Sequence, residues 1–473
     1  MSEHRGLPGF ARYRKVHMVG IGGIGMSSIA EVLLIRGFEV SGSDLTLSDV
    51  TEHLETLGAT IYEGHDASNV GDVQVVVHSS AVDRDTNPET REAISRRIPL
   101  IPRSVMLAEL MRTKFGIGIA GTHGKTTTTS MAGLVVGEGG FDPTVIVGGK
   151  VSAFGSNAVH GEGEIILVEA DEYDRTFLRL TPSLAVITNI EEDHLDIYDD
   201  LDDLLEAFVQ YANSVPFFGA TIVCLDDANV QQIISRIDRR VVTYGTRRQA
   251  DVRAARIEQH ELSMSFDVVR YGETLGRATL DVPGHHNVLN ALAAITVGLE
   301  LEMPFDEITA GLARFSGVRR RLHVLGNIGD VTVVDDYAHH PTEILATLEA
   351  AGNSWPDRRI VAVFQPHLYS RTSDFKEGFA RAFFDADVLV LTDIYGAREV
   401  SEDQISGATL ARLAESYGHR VVHYVPDKAD LATYVTGLVE PGDVVVAMGA
   451  GDIWRSSREL LERIQAAVAE GSL

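Results

Sequence analysis

Short apolar runs punctuate the chain, each followed by glycine or polar residues and then by an amphipathic stretch. The clearest are Val16–Gly20, Val73–Val77, Ile165–Val168, Leu184–Ile187, Thr221–Leu225, Val331–Val334, Ile360–Phe364, Val388–Leu391 and Val444–Ala447. Continuous Val/Ile runs of this length suit strands covered on both faces. Their alternation with helical patterns predicts parallel α/β sheets. In such sheets ligands bind beyond the carboxyl ends of the strands, so the residues just after each run carry the functional argument.

The pattern falls into three blocks. One begins at Val16 and runs to about Arg112, a second opens with the strand Phe115–Ala120, and a third starts near the basic stretch Val318–Arg321. A chain of 473 residues is too long for one core, and this division predicts domains at 1–112, 113–322 and 323–473. Composition alters little: 44% apolar and 23% charged residues are ordinary for a globular protein. The net charge of −27 argues against nucleic acid as a partner, because no broad basic surface is available to neutralise phosphates. A single cysteine, Cys224, excludes an internal disulfide and sits in an apolar run as a buried strand thiol would. Met1–Lys15 has no apolar core, and later apolar stretches are broken by glycine and charge. A cytoplasmic protein without membrane insertion is therefore expected.

Two glycine-rich turns carry the phosphate chemistry. Gly20-Ile21-Gly22-Gly23-Ile24-Gly25 follows a strand, and Asp44 follows a second short strand, Glu39–Gly42. Taken alone this is a dinucleotide signature and suggests a nicotinamide cofactor. Its physics is broader, since glycines admit the backbone to a diphosphate and a helix N-terminus holds it. Any nucleotide with a diphosphate and a ribose satisfies the same turn. The second turn, Gly121-Thr122-His123-Gly124-Lys125-Thr126-Thr127, lies between the strand Phe115–Ala120 and a helical stretch ending near Gly139-Gly140. Its N–H groups would cradle phosphates, Lys125 would reach the β/γ oxygens and the Thr126 hydroxyl would bind Mg²⁺. The strict eight-residue form fails, because Ile119 stands at its first glycine.

Two later strands end in groups suited to that metal: Glu169-Ala170-Asp171-Glu172-Tyr173-Asp174, and Asn189 through Asp196 with His194 among them. Mg²⁺ prefers oxygen ligands, which makes Glu169 natural and a histidine less usual. Solvated acidic loops and helix-terminal charge explain the same runs equally well at this point.

Taken with Gly284 to Ala291, Arg320-Arg321, Asp335-Asp336-Tyr337-Ala338-His339-His340-Pro341 and Phe364-Gln365-Pro366-His367, these segments resemble the Mur ligase family, which also includes folylpolyglutamate synthetases. The matching motifs span nearly the whole chain in the family's order. Gly20–Met26 with Asp335–Pro341 points to its alanine-adding branch. The resemblance implies a Rossmann-like N-terminal domain holding UDP, a central P-loop ATPase-like domain, and a Rossmann-like C-terminal domain that closes over the reaction. It implies ATP as co-substrate with two Mg²⁺ sites, UDP-N-acetylmuramate and L-alanine as the other partners, and a monomer or homodimer.

By the same resemblance, Gly121 to Thr127, His286, Asn290, Arg320, Arg321 and Asp336 serve ATP, while Thr126, Glu169 and His194 hold metal. Gly22, Gly23, Ile24, Gly25, Asp44, Ser79 and Ser80 fit the UDP-sugar. Lys125, His194, His339 and Arg371 are the catalytic candidates, and Tyr337 faces substrate. Two departures stand out. Several sister ligases use a carbamylated lysine near their second metal, yet this chain has no lysine between Lys150 and Lys376. Leu368 stands where some alanine-adding members have arginine, leaving Arg371 alone. Three other readings stay open: a ligase that recycles a tripeptide onto the same UDP-sugar, an NAD-dependent oxidoreductase, and a nucleotide-driven switch.

Overall fold

The computed structural model describes residues 13–148, 158–193, 197–397, 399 and 405–471. The predicted parallel sheets are present, and there are three. The N-terminal sheet has five parallel strands in the order Thr60–Glu63, Glu39–Asp44, Lys15–Val19, Val75–His78 and Leu100–Pro102. The C-terminal sheet has six. Its edge strand His323–Ile328 pairs antiparallel with Val331–Asp336, and Val444–Met448, Ile360–Phe364, Val388–Leu391 and Val422–Tyr424 continue it in parallel.

The central sheet is larger, with ten strands. Phe115–Ala120 lies inside it between Leu184–Ile187 and Ile165–Glu169, both parallel to it. The ends of these three strands therefore open at one edge, where the three motif segments follow. Gly116 and Gly118 make the middle strand unusual. A Cβ at Gly116 would meet the Met111 side chain, and one at Gly118 would overlap the Tyr211 hydroxyl. Glycine weakens a strand, but here it admits two large side chains against the backbone.

Sequence pattern missed one feature of this sheet. Val252–His260, Ser263–Arg270 and Glu273–Leu280 form its far end. Val252–His260 buries only Val252 and Ala254 and alternates half-buried with exposed positions along its outer half, so it never presents the continuous apolar run that marked the other strands. Cys224 is buried in the strand Ala220–Cys224 as expected, and burial pushes its thiol up to about 12, so it is inert at neutral pH. Among the described residues no helix is long and apolar enough to cross a membrane.

The backbone divides into two compact units. One comprises residues 1–255, 267–276 and 289–315; the other comprises 256–266, 277–288 and 316–473. The N-terminal sheet and most of the central sheet, including the strand Phe115–Ala120 and its neighbours, thus share a unit, and one hydrophobic core runs from Val16 and Ile29 through Met106 and Leu110 to Val168 and Phe208. The helix Arg103–Arg112 supplies the middle of that core, immediately before the phosphate-loop strand.

The tight packing over Gly118 gives a stability test. Gly118→Ala is expected to lose about 1–3 kcal/mol by overpacking against Tyr211. The Tyr211 hydroxyl is buried with no hydrogen-bond partner among the described residues, so Tyr211→Phe should be neutral or stabilising and should restore part of the loss. Urea unfolding of the two single variants and the double variant checks this.

Candidate functional site

The helix Lys125–Glu138 starts where the strand Phe115–Ala120 ends, and the loop between them is held from below. Gly121 and Gly124 both have left-handed backbones, with φ of 132° and 81°. A Cβ at Gly121 would overlap the Thr188 hydroxyl, and one at Gly124 would approach Asn290 Oδ1 to 2.5 Å. Only glycine satisfies both conditions. His123 N–H donates to Asn189 Oδ1 at 2.8 Å, Thr188 Oγ1 donates to His123 O at 2.7 Å, and Thr122 N–H donates to Asn189 O at 3.1 Å. The residues after Leu184–Ile187 thus fix the loop from the next strand. His123 Nε2 lies 2.9 Å from a Glu191 carboxylate oxygen. The Asn290 amide accepts from Thr128 at 3.1 Å, so Asn290 braces the helix behind the loop. Thr127 is buried in the first turn.

Lys125 sits at the centre. Its ammonium donates to Gly121 O at 2.7 Å and Thr122 O at 3.1 Å, and to both Glu172 oxygens at 2.9 and 2.7 Å. Lysine and glutamate are both nearly enclosed. Burial alone would favour a neutral amine, but Glu172, Asp171 and Glu169 outweigh it and hold Lys125 above its ordinary range. Glu172 is pushed up to about 7, because burial works against its charge despite the lysine. The Tyr198 hydroxyl donates to Glu172 O at 2.6 Å, and Arg175 stacks on the Tyr198 ring while pairing with Asp203. The partner of Lys125 was not legible in advance: it stands 47 residues away and reaches the lysine only because two parallel strands end side by side.

A metal-sized arrangement lies beside the lysine. Thr126 Oγ1 donates to Glu169 Oε2 at 2.9 Å, and Gly148 N–H donates to that same oxygen at 2.7 Å. Neighbouring ligands on Mg²⁺, each at about 2.1 Å, lie about 3 Å apart, so these two oxygens are spaced to share one ion. Burial raises the Glu169 carboxyl above the ordinary range, a cost that a cation would relieve. His194 lies outside the described residues.

The first glycine turn is built by the strand next to it. Gly20 and Ile21 N–H both donate to Ser43 O, at 2.8 and 3.0 Å, and Gly22 N–H donates to Asp44 Oδ2 at 2.9 Å. Gly23 caps the helix Ile24–Ile35, whose first side chain is exposed. Ser79 packs against Gly20, and Ser80 is exposed beside it. All seven residues expected to hold the UDP-sugar therefore gather at one strand edge. A residue that sequence reading missed joins them: a Cβ at Gly25 would overlap the Arg103 guanidinium, which sets a cation at the turn.

The second unit has a cluster of its own. Both Asp336 oxygens accept backbone N–H groups, from Leu322 at 2.6 Å and Ala338 at 2.7 Å, so this buried acid braces its own loop. Arg320 donates to Gly449 O at 2.5 Å, Arg321 pairs with Glu343 at 3.0 Å, and both lie over the Tyr337 ring. His339 Nδ1 is 2.9 Å from Tyr337 O. A Glu343 carboxylate oxygen lies 3.0 Å from the same nitrogen, and since both oxygens only accept, Nδ1 carries a proton. His367 stands between the rings of His339 and Tyr395, and its Nδ1 has no partner among the described residues. Burial, together with the charges of His339 and Arg371, pushes it down to about 4. Arg371 is buried on the short helix Tyr369–Asp374, and Leu368 caps that helix with φ of 71° and ψ of 135°, a strained conformation for a residue with a side chain. His286 stands exposed at the start of the helix His285–Glu300.

Known proteins match this chain along its length. Residues 15–115, 119–298 and 320–451 match models described as the Mur ligase family catalytic domain, the Mur ligase middle domain and the Mur ligase glutamate ligase domain. A UDP-N-acetylmuramate–L-alanine ligase of Salinibacter ruber is 65% identical over 465 residues, covering 98% of each chain. A crystal structure of a UDP-N-acetylmuramate-alanine ligase from Thermotoga maritima superposes with a TM-score of 0.81 at 30% identity, over 96% of this chain and 99% of that one. A murein peptide ligase from Psychrobacter arcticus covers 96% and 99% with a TM-score of 0.69, and at 23% identity it shares the fold.

The His367 environment predicts a neutral ring throughout the physiological range. Its imidazole resonances should hold their neutral positions from pH 8 to about 5 and move only toward pH 4. Histidine-selective NMR titration, assigned with His367→Gln, reads this directly.

Proposed function

The chain belongs to the Mur ligase family, and on that premise we propose that it joins L-alanine to the carboxylate of UDP-N-acetylmuramate while converting ATP to ADP and phosphate. The observation that carries this reading is the Lys125 loop, with Thr126 and Glu169 spaced for a divalent ion, in a chain 65% identical to an alanine-adding ligase over almost its full length. Residues 1–112 are assigned to the UDP-sugar, 113–322 to ATP and 323–473 to the amino acid and closure. A cytoplasmic monomer or homodimer fits this chemistry.

A carboxylate does not condense with an amine at neutral pH, because its leaving group is poor. A carboxylate oxygen of the sugar attacks the γ-phosphorus of ATP, ADP departs and an acyl phosphate forms. The alanine nitrogen then attacks the acyl carbon, phosphate leaves and the amine gives up a proton. Phosphoryl transfer asks the protein mainly for position and charge neutralisation. Lys125 supplies both by exchanging Glu172 for phosphate oxygens, with Gly121 O and Thr122 O keeping its ammonium in place. Thr126 and Glu169 would hold Mg²⁺, which supplies positive charge at the transferring phosphoryl group when bound. Arg320 and Arg321 are assigned to phosphate charge, His286 and Asn290 to adenine and Asp336 to ribose. His194 is assigned to metal. Gly22 to Gly25, Asp44, Ser79 and Ser80 take the diphosphate and its sugar, with Arg103 as an added cation. His339 is the candidate acceptor for the amine proton, its ring oriented at Nδ1 by the Tyr337 carbonyl and the Glu343 carboxylate. Arg371 positions the amino-acid carboxylate.

The tripeptide-recycling reading shares almost every motif used here, and likeness to the alanine-adding proteins favours the smaller amine. A nicotinamide oxidoreductase leaves the Lys125 loop unexplained.

Phosphate release from ATP with UDP-N-acetylmuramate, scanned across amino acids and the tripeptide, tests the proposal. Release should depend on both sugar and amine and be greatest with L-alanine; preference for the tripeptide would replace it with the recycling reading. Lys125→Ala should abolish turnover while UDP-sugar affinity, measured by calorimetry, stays within about twofold. His339→Ala should lower kcat by about 10²-fold or more if it takes the proton, and near-normal turnover would remove it from that role.

A further inference from the structure

One face of the N-terminal sheet is more polar than its depth warrants. Among the described residues its buried apolar cluster is Val19, Val70, Val76 and Ala93, with Val73, Val82, Ile98 and Leu100 packed against it, and beside them lie His17, Ser43 and Glu89, all fully enclosed. Glu89 is in the first turn of the helix Pro88–Ser95, but it is not the cap. Asn87 Oδ1 already accepts the Glu89 and Thr90 N–H groups. The carboxylate instead turns under the sheet. One oxygen accepts from Ser43 Oγ at 2.5 Å and lies 3.5 Å from both His17 Nε2 and His65 Nδ1. The other accepts from Asn69 Nδ2 at 2.8 Å and from Asp66 N–H at 3.3 Å. Burial would raise this carboxyl, but the nearby His17 ring and the hydrogen bonds from Ser43 and Asn69 outweigh it and keep it below its usual range.

What this carboxylate grips is informative. Ser43 is the residue whose carbonyl takes the N–H groups of Gly20 and Ile21, and its neighbour Asp44 takes Gly22. Three successive N–H groups of the glycine turn thus hang on the last two residues of the strand Glu39–Asp44. Ser43 is anchored by its hydroxyl to Glu89, and Asp44 O is anchored to Gly64 N–H at 2.7 Å. A turn that must present its backbone to a diphosphate has to be held to a fraction of an ångström, and glycines cannot hold themselves. We propose that Glu89 is a positioning residue for the UDP-sugar: from beneath the sheet it fixes Ser43, and through Ser43 the turn that receives the diphosphate. The inference rests on the assignment of Gly20–Gly25 to that ligand. A face that was merely core would be filled with aliphatic side chains at lower cost than a buried carboxylate with five polar neighbours.

The test uses the full-length protein with Glu89→Gln and Ser43→Ala, the latter removing the hydroxyl while leaving the carbonyl that holds the turn. Glu89→Gln should raise the KM for UDP-N-acetylmuramate and the Kd for UDP about tenfold, with kcat and the KM values for ATP and alanine within about twofold. Ser43→Ala should move the same two constants in the same direction, and it decides the matter should Glu89→Gln fail to fold. A general loss across all three substrates, or UDP affinity unchanged in a folded variant, would overturn the role. Hydrogen exchange of the unsubstituted protein with and without UDP separates the two claims. Protection at Gly20–Gly25 with unaltered variants sinks Glu89 alone, whereas no protection there sinks the assignment of the turn and the inference with it.

Discussion

A lysine ammonium enclosed between two carbonyls and a buried carboxylate is the interaction on which the functional account turns. Lys125 cannot be buried alone, because an unpaired charge in that setting would cost several kcal/mol. Glu172 makes its burial possible, and Gly121 O and Thr122 O complete the ammonium's three donors. The lysine is thereby kept charged and in register without a ligand. The pair is poised for exchange, because burial already opposes the charge on Glu172 and a phosphate offers the lysine more negative charge than the carboxylate does.

The rest of the central sheet serves that arrangement. The strand Phe115–Ala120 brings the loop to the sheet edge, Ile165–Glu169 ends in the acid that faces Thr126, and Leu184–Ile187 ends in the Thr188 and Asn189 contacts that stop the loop from relaxing. The glycines inside the first of these strands let Met111 and Tyr211 close over it. The first glycine turn follows the same logic in the N-terminal sheet. There the neighbouring strand again provides the acceptors, in Ser43 O and the Asp44 carboxylate. Both turns are flexible by sequence and rigid by context.

Much of this was legible from the chain alone, for a physical reason. Strands buried on both faces write themselves as continuous apolar runs, and Phe115–Ala120, Leu184–Ile187, Ile360–Phe364 and Val388–Leu391 fall where those runs lie. The three strands between Val252 and Leu280 were not legible, because polar residues interrupt their apolar ones. Glycine turns announce themselves by composition, whereas the side chains that stabilise them do not. Arg103 and Glu89 are ordinary surface-type residues in the sequence, Glu172 is one acid of a run read as metal-binding, and each acquires its place only through strand order. Asp336 shows the converse: the resemblance implied a ligand contact, and in the structure its two oxygens brace the loop from Leu322 to Ala338.

The exchange at Lys125 can be observed directly by determining the crystal structure with Mg²⁺ and a nonhydrolysable ATP analogue. The account predicts that the Lys125 ammonium leaves the Glu172 carboxylate, now 2.7 and 2.9 Å away, for a phosphate oxygen, and that the Thr126 hydroxyl and Glu169 share one Mg²⁺. A nucleotide bound with Lys125 still paired to Glu172, or with its phosphates away from the Gly121–Thr127 loop, would contradict it.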